Sequence, residues 1–368
     1  PKFEAKKVTG RPPISVRWVD VNKGDEVEPR YRSRLVARQL KARDKTNSTF
    51  FAPTPPLEAL RTVLSLSATK VGKWQPDYDP KSERRMQVSF LDITRAYFNA
   101  KTDARSPTYV CLPPEDADSE EKCALLQSHM YGTRAAADGW QEEYSSHLVE
   151  VLGYEQGTAS PCLFRHPDRM LAVSVHGDDF TTAGAKADLD WFEGTMQEAY
   201  ELTIQPRLGP SPEDAKEATA LNRVVRWTNL GIEIEADPRQ AEKLIAECGL
   251  EGVNSVATPG IRASFEQVEN DEPLGDHLNT PFRGAAARAN YLAADRLDCQ
   301  FAAKEICRWM AKPTQSAWGA LKRLCRYLVG LPRLVHTFKW QEARTIDVYT
   351  DTDWAGCPRT RKSTSGGC

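Results

Sequence analysis

Three acidic residues, Asp92 and the adjacent pair Asp178 and Asp179, are the strongest chemical signal in this chain. Ionised carboxylates are hard oxygen donors, and Mg²⁺ is typically held by one or two of them together with waters and substrate phosphates. Two such ions, about 3.5–4 Å apart, stabilise the attacking and leaving oxygens of an in-line phosphoryl displacement. An Asp-Asp pair is also a common turn former, so spacing alone leaves both readings open.

Whether the three can act together depends on the elements that carry them. Met86 to Leu91 reads as a strand ending at Asp92. Leu171 to Val175 is rich in β-formers, and Phe180 to Ala183 resumes strand character after Gly177-Asp178-Asp179, which predicts a hairpin with the acidic pair at its tip. Ile14 to Leu40 reads as extended, with Arg34-Leu35-Val36-Ala37-Arg38 at its centre. Pro53, Pro55 and Pro56 then break the chain before a buried helix over Leu57 to Ala68, where Leu60, Val63 and Leu64 suggest one face. Pro210 to Thr219 reads as a surface insertion. Asp237 is a good N-cap for a helix whose face is Ala241, Leu244, Ile245 and Cys248, with Gly249 as its stop. Thr314 caps a second helix ending at Gly330, apolar at Ala317, Leu321, Leu324 and Leu328 and basic elsewhere at Lys322, Arg323 and Arg326. Ile346, Val348 and Thr350 alternate along a strand that delivers Asp351 at its end.

With 368 residues there is material for two to three domains, each able to bury a core. No apolar run approaches the roughly 20 residues that span a bilayer, so no membrane segment is expected. Pro1 to Lys7 lacks the layout of a signal peptide, and the start is expected to be missing or processed. Nine scattered cysteines without a C-x-x-C pair fit a reduced, intracellular protein without structural zinc. The net charge of −2 hides two basic stripes, Arg30, Arg32, Arg34, Arg38, Lys41 and Arg43, and Lys322, Arg323 and Arg326. Such stripes serve a polyanion or simply sit in solvent, and charge alone does not choose.

Longer motifs do choose. Phe90-Leu91-Asp92-Ile93-Thr94-Arg95-Ala96-Tyr97-Phe98-Asn99 resembles the first catalytic motif of reverse transcriptases, and Val175-His176-Gly177-Asp178-Asp179-Phe180 resembles the second. Arg34 to Arg38, Thr49-Phe50-Phe51-Ala52-Pro53, Met130-Tyr131-Gly132, Leu230-Gly231-Ile232-Glu233-Ile234 and Ala257-Thr258-Pro259 follow in the order of the copia-type LTR retrotransposon polyprotein. Trp309 to Pro313, Trp318, Leu321-Lys322-Arg323 and Arg326-Tyr327-Leu328 resemble that family's linker to ribonuclease H. Asp351-Thr352-Asp353-Trp354-Ala355-Gly356 and Arg361 to Gly366 resemble the opening of the ribonuclease H domain. The resemblance runs from about Ile14 to Cys368.

It implies an α+β, right-hand polymerase: fingers over 14–85, palm with an antiparallel sheet over 86–235 with a fingers insertion at about 113–145, thumb and connection over 236–340, and a truncated ribonuclease H-like start over 341–368. The implied activity is RNA-directed DNA polymerisation using an RNA template, a DNA or RNA primer and dNTPs, with two Mg²⁺ ions, Mn²⁺ being an alternative. Asp92 and Asp178 would bind both ions and Asp179 would support them. Tyr97 would be the steric gate against a ribose 2′-hydroxyl. Arg34 and Arg38 would grip phosphates, and Tyr131, Gly132 and Arg134 would contact the nucleotide and template. Leu230 and Gly231 would form a primer-grip turn acting through its backbone, and Lys322, Arg323 and Arg326 would track a duplex. Asp351 alone remains of the ribonuclease H carboxylates, so no ribonuclease H activity is expected. The implied location is a cytoplasmic particle, the nucleus or both.

Two departures stand out. The family continues after Tyr131-Gly132 with Lys-Gln-Ala-Pro-Arg, whereas this chain has Arg134-Ala135-Ala136-Ala137-Asp138, placing an acid where phosphate is bound. His176-Gly177 replaces the usual Tyr-Val. They keep a second reading open, a decayed or adopted retroelement fragment that binds nucleic acid without polymerising. A metal-dependent nuclease is a third reading, for which Tyr97 and the Leu230-Gly231 turn have no evident use.

Overall fold

The computed structural model describes residues 1–25, 27–39, 57–262, 264–357 and 359–367. Leu40, Lys41, Arg43, the Thr49-Phe50-Phe51-Ala52-Pro53 motif, Pro55 and Pro56 lie outside the described residues. The chain divides into two units, Pro1–Val63 with Ser82–Pro206, and Leu64–Lys81 with Arg207–Cys368.

In the first unit, six antiparallel strands run in the order Leu202–Ile204, Met86–Ile93, Asp179–Ala185, Leu171–His176, Leu163–Arg165, Glu155–Gln156. Met86 to Leu91 and Leu171 to Val175 are buried without interruption, as in strands covered on both faces, and Asp92 is the first exposed position. Helices Ala136–Ser146 and Lys186–Ala199 supply Trp140, Tyr144, Leu189, Phe192 and Met196 to a core shared with Leu91, Phe164, Val173, Val175 and Phe180. Burying each large apolar side chain contributes about 1.5–3 kcal/mol. Val16–Asn22 and Tyr31–Ala37 form a separate antiparallel hairpin in which Val19 faces Arg34 and Val21 faces Arg32. Because opposed residues share a face and side chains repeat every second position, Arg32 and Arg34 project from the same side.

The second unit combines a four-stranded antiparallel sheet, Glu217–Ala220, Arg223–Trp227, Gly231–Glu235, Val335–Lys339, with a helical core. That core packs Pro238–Glu247, Asp276–Ala293, Gln300–Cys307 and Gln315–Gly330 through Leu244, Phe282, Ile306, Leu321 and Leu328. Both expected caps form: Asp237 accepts from the Arg239 N–H at 3.1 Å, and Thr314 Oγ1 from the Ala317 N–H at 3.3 Å. No described helix is long and apolar enough to cross a membrane.

One expectation about local structure is refined and another fails. Pro210 to Thr219 lies mostly at the surface, as expected, but is tied down: Ser211 is buried, Lys216 Nζ donates to the Gly209 and Ser211 carbonyls at 2.5 and 2.7 Å, and Glu217 onward is paired strand. The lysine turns a polar stretch into a tied loop by satisfying carbonyls that composition alone leaves unassigned. At the other end, only Thr350–Thr352 is strand, so Asp351 sits mid-strand. Ile346 and Val348 are exposed, and alternation stabilises a strand only when one face is covered.

Candidate active site

Asp179 opens its strand directly across from Asp92 on one neighbour and from His176 on the other. The turn between the hairpin strands is made by Gly177, whose φ of +66° lies in the left-handed region glycine tolerates, and by Asp178, whose carbonyl accepts from the Ile93 N–H at 2.9 Å. Trp140, 1% exposed in the core, sends its indole N–H to the Gly177 carbonyl at 2.7 Å. The hairpin tip is thus tied both to the Asp92 strand and to the helix Ala136–Ser146.

After Asp92 the chain turns through Arg95, at φ +54°, into the short helix Ala96–Asn99. A left-handed arginine is uncommon and marks a local constraint, here the one that sets Tyr97 beside the strand end. Tyr97 is half-buried and stacks on Tyr131 with ring centroids 4.5 Å apart, while the Arg34 guanidinium lies 5.4 Å from the Tyr131 ring centroid. Tyr131 is held against the first hairpin: its carbonyl accepts from the Ala37 N–H at 2.8 Å and the Gly132 carbonyl from the Gln39 N–H at 3.2 Å. Gly132 has φ +87°, and a β-carbon there would stand 2.0 Å from the Ala37 carbonyl oxygen, so no other residue fits. The Arg134 N–H donates to Gln39 Oε1 at 2.9 Å, extending the same attachment.

The charges in this region act on one another. Burial, then Asp178 and Asp92, push the Asp179 carboxyl up to about 6. Burial and Asp178 also raise Asp92, against the opposing pull of Arg32 and Arg34. Burial and then Asp178 raise the phenols of Tyr97 and Tyr131. Backbone register and ring contacts bring Asp92, Asp178, Asp179, Tyr97, Tyr131 and Arg34 into one neighbourhood, in spite of the repulsion among the acids. Two carboxyls, Asp92 and Asp179, held up by burial and by the neighbouring charge of Asp178, suit a hard divalent cation, which would relieve that repulsion. As their side chains stand, no three His, Cys, Asp or Glu groups among the described residues close on a common metal position.

Residues 5–208 match the family model described as reverse transcriptase, an RNA-dependent DNA polymerase. The chain belongs to the reverse transcriptase family. Retrovirus-related Pol polyproteins from transposons RE2 and RE1 of Arabidopsis thaliana are 26% and 25% identical to it, each over 96% of this chain and 23% of the relative. The Pol polyprotein from transposon TNT 1-94 of Nicotiana tabacum is 22% identical over 97% of this chain and 26% of its own length. The chain thus spans about a quarter of these curated relatives, and it corresponds to the copia-type reverse transcriptase region. A telomerase structure from Candida albicans aligns over 88% of this chain and 61% of its own at 10% identity, with a TM-score of 0.30 too low to argue from.

Within this reverse transcriptase, the remaining expected residues fall less centrally. Arg38 is exposed just past the Tyr31–Ala37 strand, and the cations acting on Asp92 are Arg32 and Arg34. Asp138 lies in the first turn of its helix, where an acid is favourable, and acts on the His129 imidazole. Leu230 and Gly231 form the turn of a hairpin in the second unit. Arg323 donates to Thr258 Oγ1 at 2.7 Å, Arg326 to the Asn254 carbonyl at 2.8 Å, and Lys322 lies 5.4 Å from the Trp318 ring centroid, so this stripe also braces its own unit. Asp351 is exposed. Sequence reasoning passed over Arg32, Arg95 and Trp140 as site residues. Arg32 was recoverable from its two-residue offset to Arg34, whereas nothing local announces the reach of Trp140 to Gly177.

Proposed function

We propose that this chain is an RNA-directed DNA polymerase that adds dNTPs to a primer 3′-hydroxyl on an RNA template. The observation that carries it is the meeting of Asp92 with the Asp178-Asp179 turn at one sheet end, beside Tyr97, Tyr131 and Arg34. Asp92 and Asp178 would hold two Mg²⁺ ions, or Mn²⁺, with Asp179 in support. When bound, the ions supply charge neutralisation for the triphosphate and a lower cost of ionising the 3′-hydroxyl. Arg34, with Arg32 on the same face, draws the triphosphate, and the phenol of Tyr97 blocks a 2′-hydroxyl. Tyr131, Gly132 and Arg134 border the nucleotide, Arg38 lies farther along the template path, and Leu230 and Gly231 address the primer. Lys322, Arg323 and Arg326 add affinity for a duplex backbone that falls with salt.

On this reading 14–85 are fingers, 86–235 palm, 236–340 thumb and connection, and 341–368 the start of a ribonuclease H-like domain. We assign no ribonuclease H activity to that last segment, in which Asp351 stands exposed. The eight described cysteines are free thiols, which suits a cytoplasmic particle or the nucleus.

Primer extension on an RNA template with Mg²⁺ tests the reading. The chain should extend, and Asp178→Asn should lower the rate by about a thousandfold, the scale of losing a group that stabilises transition-state charge. Salt-sensitive binding of primer and template without synthesis overturns it in favour of a binding relic.

A further inference from the structure

Two of the free thiols stand face to face. The strands Tyr109–Cys111 and Cys123–Leu125 pair antiparallel, with Cys111 directly opposite Cys123. Cys111 directs its backbone N–H to the Ile14 carbonyl at 2.8 Å, away from its cross-strand partner. The two cysteines are therefore a non-hydrogen-bonded pair, in which α-carbons lie about 4.5 Å apart and side chains project from the same face. That separation is at the short end of the roughly 4.4–6.8 Å that a disulfide spans.

The neighbouring pair, Val110 and Ala124, points the other way, into a small core with Ala37 and Met130. Alternation leaves both thiols on the outer face, each half-buried, whereas Cys162, Cys248, Cys299, Cys325 and Cys357 are buried. The Cys111 thiol meets the Pro13 carbonyl at 3.8 Å, a weak bond that is readily given up. Nothing in the polymerase chemistry uses either sulfur.

We propose that Cys111 and Cys123 form a redox site, closing to a disulfide on exposure to a low-molecular-weight disulfide and reopening on reduction. One protein thiolate attacks the small disulfide, forming a mixed disulfide and releasing one small thiol. The second protein thiolate attacks the protein sulfur of that mixed bond and releases the other. Two protein thiols and one small disulfide become one protein disulfide and two small thiols, and the protons lost by the protein end on the small thiols. The new bond closes the loop Leu112 to Lys122, which holds Lys2 through the Ser119 and Glu121 carbonyls, at 2.6 and 2.9 Å, and Trp18 through Glu115 at 3.1 Å. It also clamps the foot of the hairpin that carries Arg34, because Tyr109 and Cys111 both bond the backbone of Ile14 at 2.8 Å. A span at its short limit leaves the bond easily reduced, which suits a reversible clamp better than a permanent staple.

The test incubates the full chain, reduced and then freed of reductant, with glutathione disulfide and maps its peptides by mass spectrometry without further reduction. A Cys111–Cys123 linkage lacking two hydrogens is expected, and it should revert with dithiothreitol. The first unit of the linked form should melt about 6–10 °C above that of the reduced form, the scale of closing a loop of this length in a unit of this size. Cys111→Ser should show neither linkage nor rise, while Cys307→Ser should keep both. A glutathione adduct that persists on either cysteine, a linkage to another cysteine or to a second chain in its place, or a linked form that melts no higher overturns the proposal. Mapping reads the wild-type chain, so it decides even where a variant misfolds.

Discussion

Carboxylates in the two units meet opposite fates. In the second unit, Asp295 receives a two-pronged ion pair from Arg223, at 2.9 Å with both side chains 7% exposed, and Glu235 is clasped by Arg333 and Arg226. The Arg333 bond, then Arg226, holds the Glu235 carboxyl below its ordinary range despite burial. Burial raises Asp298, but Arg296 and Tyr327 more than reverse it. In the first unit Asp92 and Asp179 are shifted the other way, chiefly by burial and by each other's neighbour Asp178. The second unit spends acids on its own arginines to hold a fold. Around Asp178 the first keeps like charges together, the arrangement on which the proposed metal-binding role depends.

Substituting one acid from each region should separate these roles most sharply. Asp92→Asn should lower primer extension by about a thousandfold while leaving thermal stability unchanged or improved. Asp295→Ala strands a buried guanidinium and should cost about 3–5 kcal/mol in a urea titration of the second unit. If Asp92→Asn destabilises and Asp295→Ala does not, the contrast between the units is lost.

A smaller effect tests how the hairpin tip is held. Trp140→Phe keeps the ring in the core but leaves the Gly177 carbonyl without its indole donor. Extension should fall about tenfold in kcat, with KM for dNTP little changed. A pure packing role would move the melting temperature and leave kcat alone.

The smallest effect concerns protons. Asp179 has a folded pKa of about 6, above the ordinary aspartate value near 4, so its charge costs nothing below about pH 4 and its full penalty applies above about pH 6. Asp179→Asn removes that penalty. The variant should melt about 2–4 °C higher than wild type at pH 7, an advantage that shrinks as pH falls from 6 and vanishes near 4. An advantage independent of pH would mean that repulsion is not what the substitution relieves.

Much of this was legible in residue order. Helical spacing and caps located Leu57–Ser67, Pro238–Glu247 and Gln315–Gly330 to within a residue or two, because those signals are local. The hairpin at Gly177 was legible because β-rich runs flank a glycine. The ties within the Pro210 loop went unseen and the Ile346 strand was misread for one reason: whether a polar stretch is tied down or an alternating one is covered depends on partners that composition does not name. At the site, the three acids and Tyr97 were marked by motif. Arg32, Arg95 and Trp140 needed coordinates, since their importance lies in register, a backbone angle and a hydrogen bond spanning 37 positions.

Gly132 shows the same dependence on a distant partner. Its obstacle is a backbone carbonyl of the opposite hairpin, which no side-chain change elsewhere can move aside, so a replacement there has no local suppressor. Any side chain at position 132 would have to push the end of the Tyr31–Ala37 strand away, and with it the hydrogen bond that seats Tyr131.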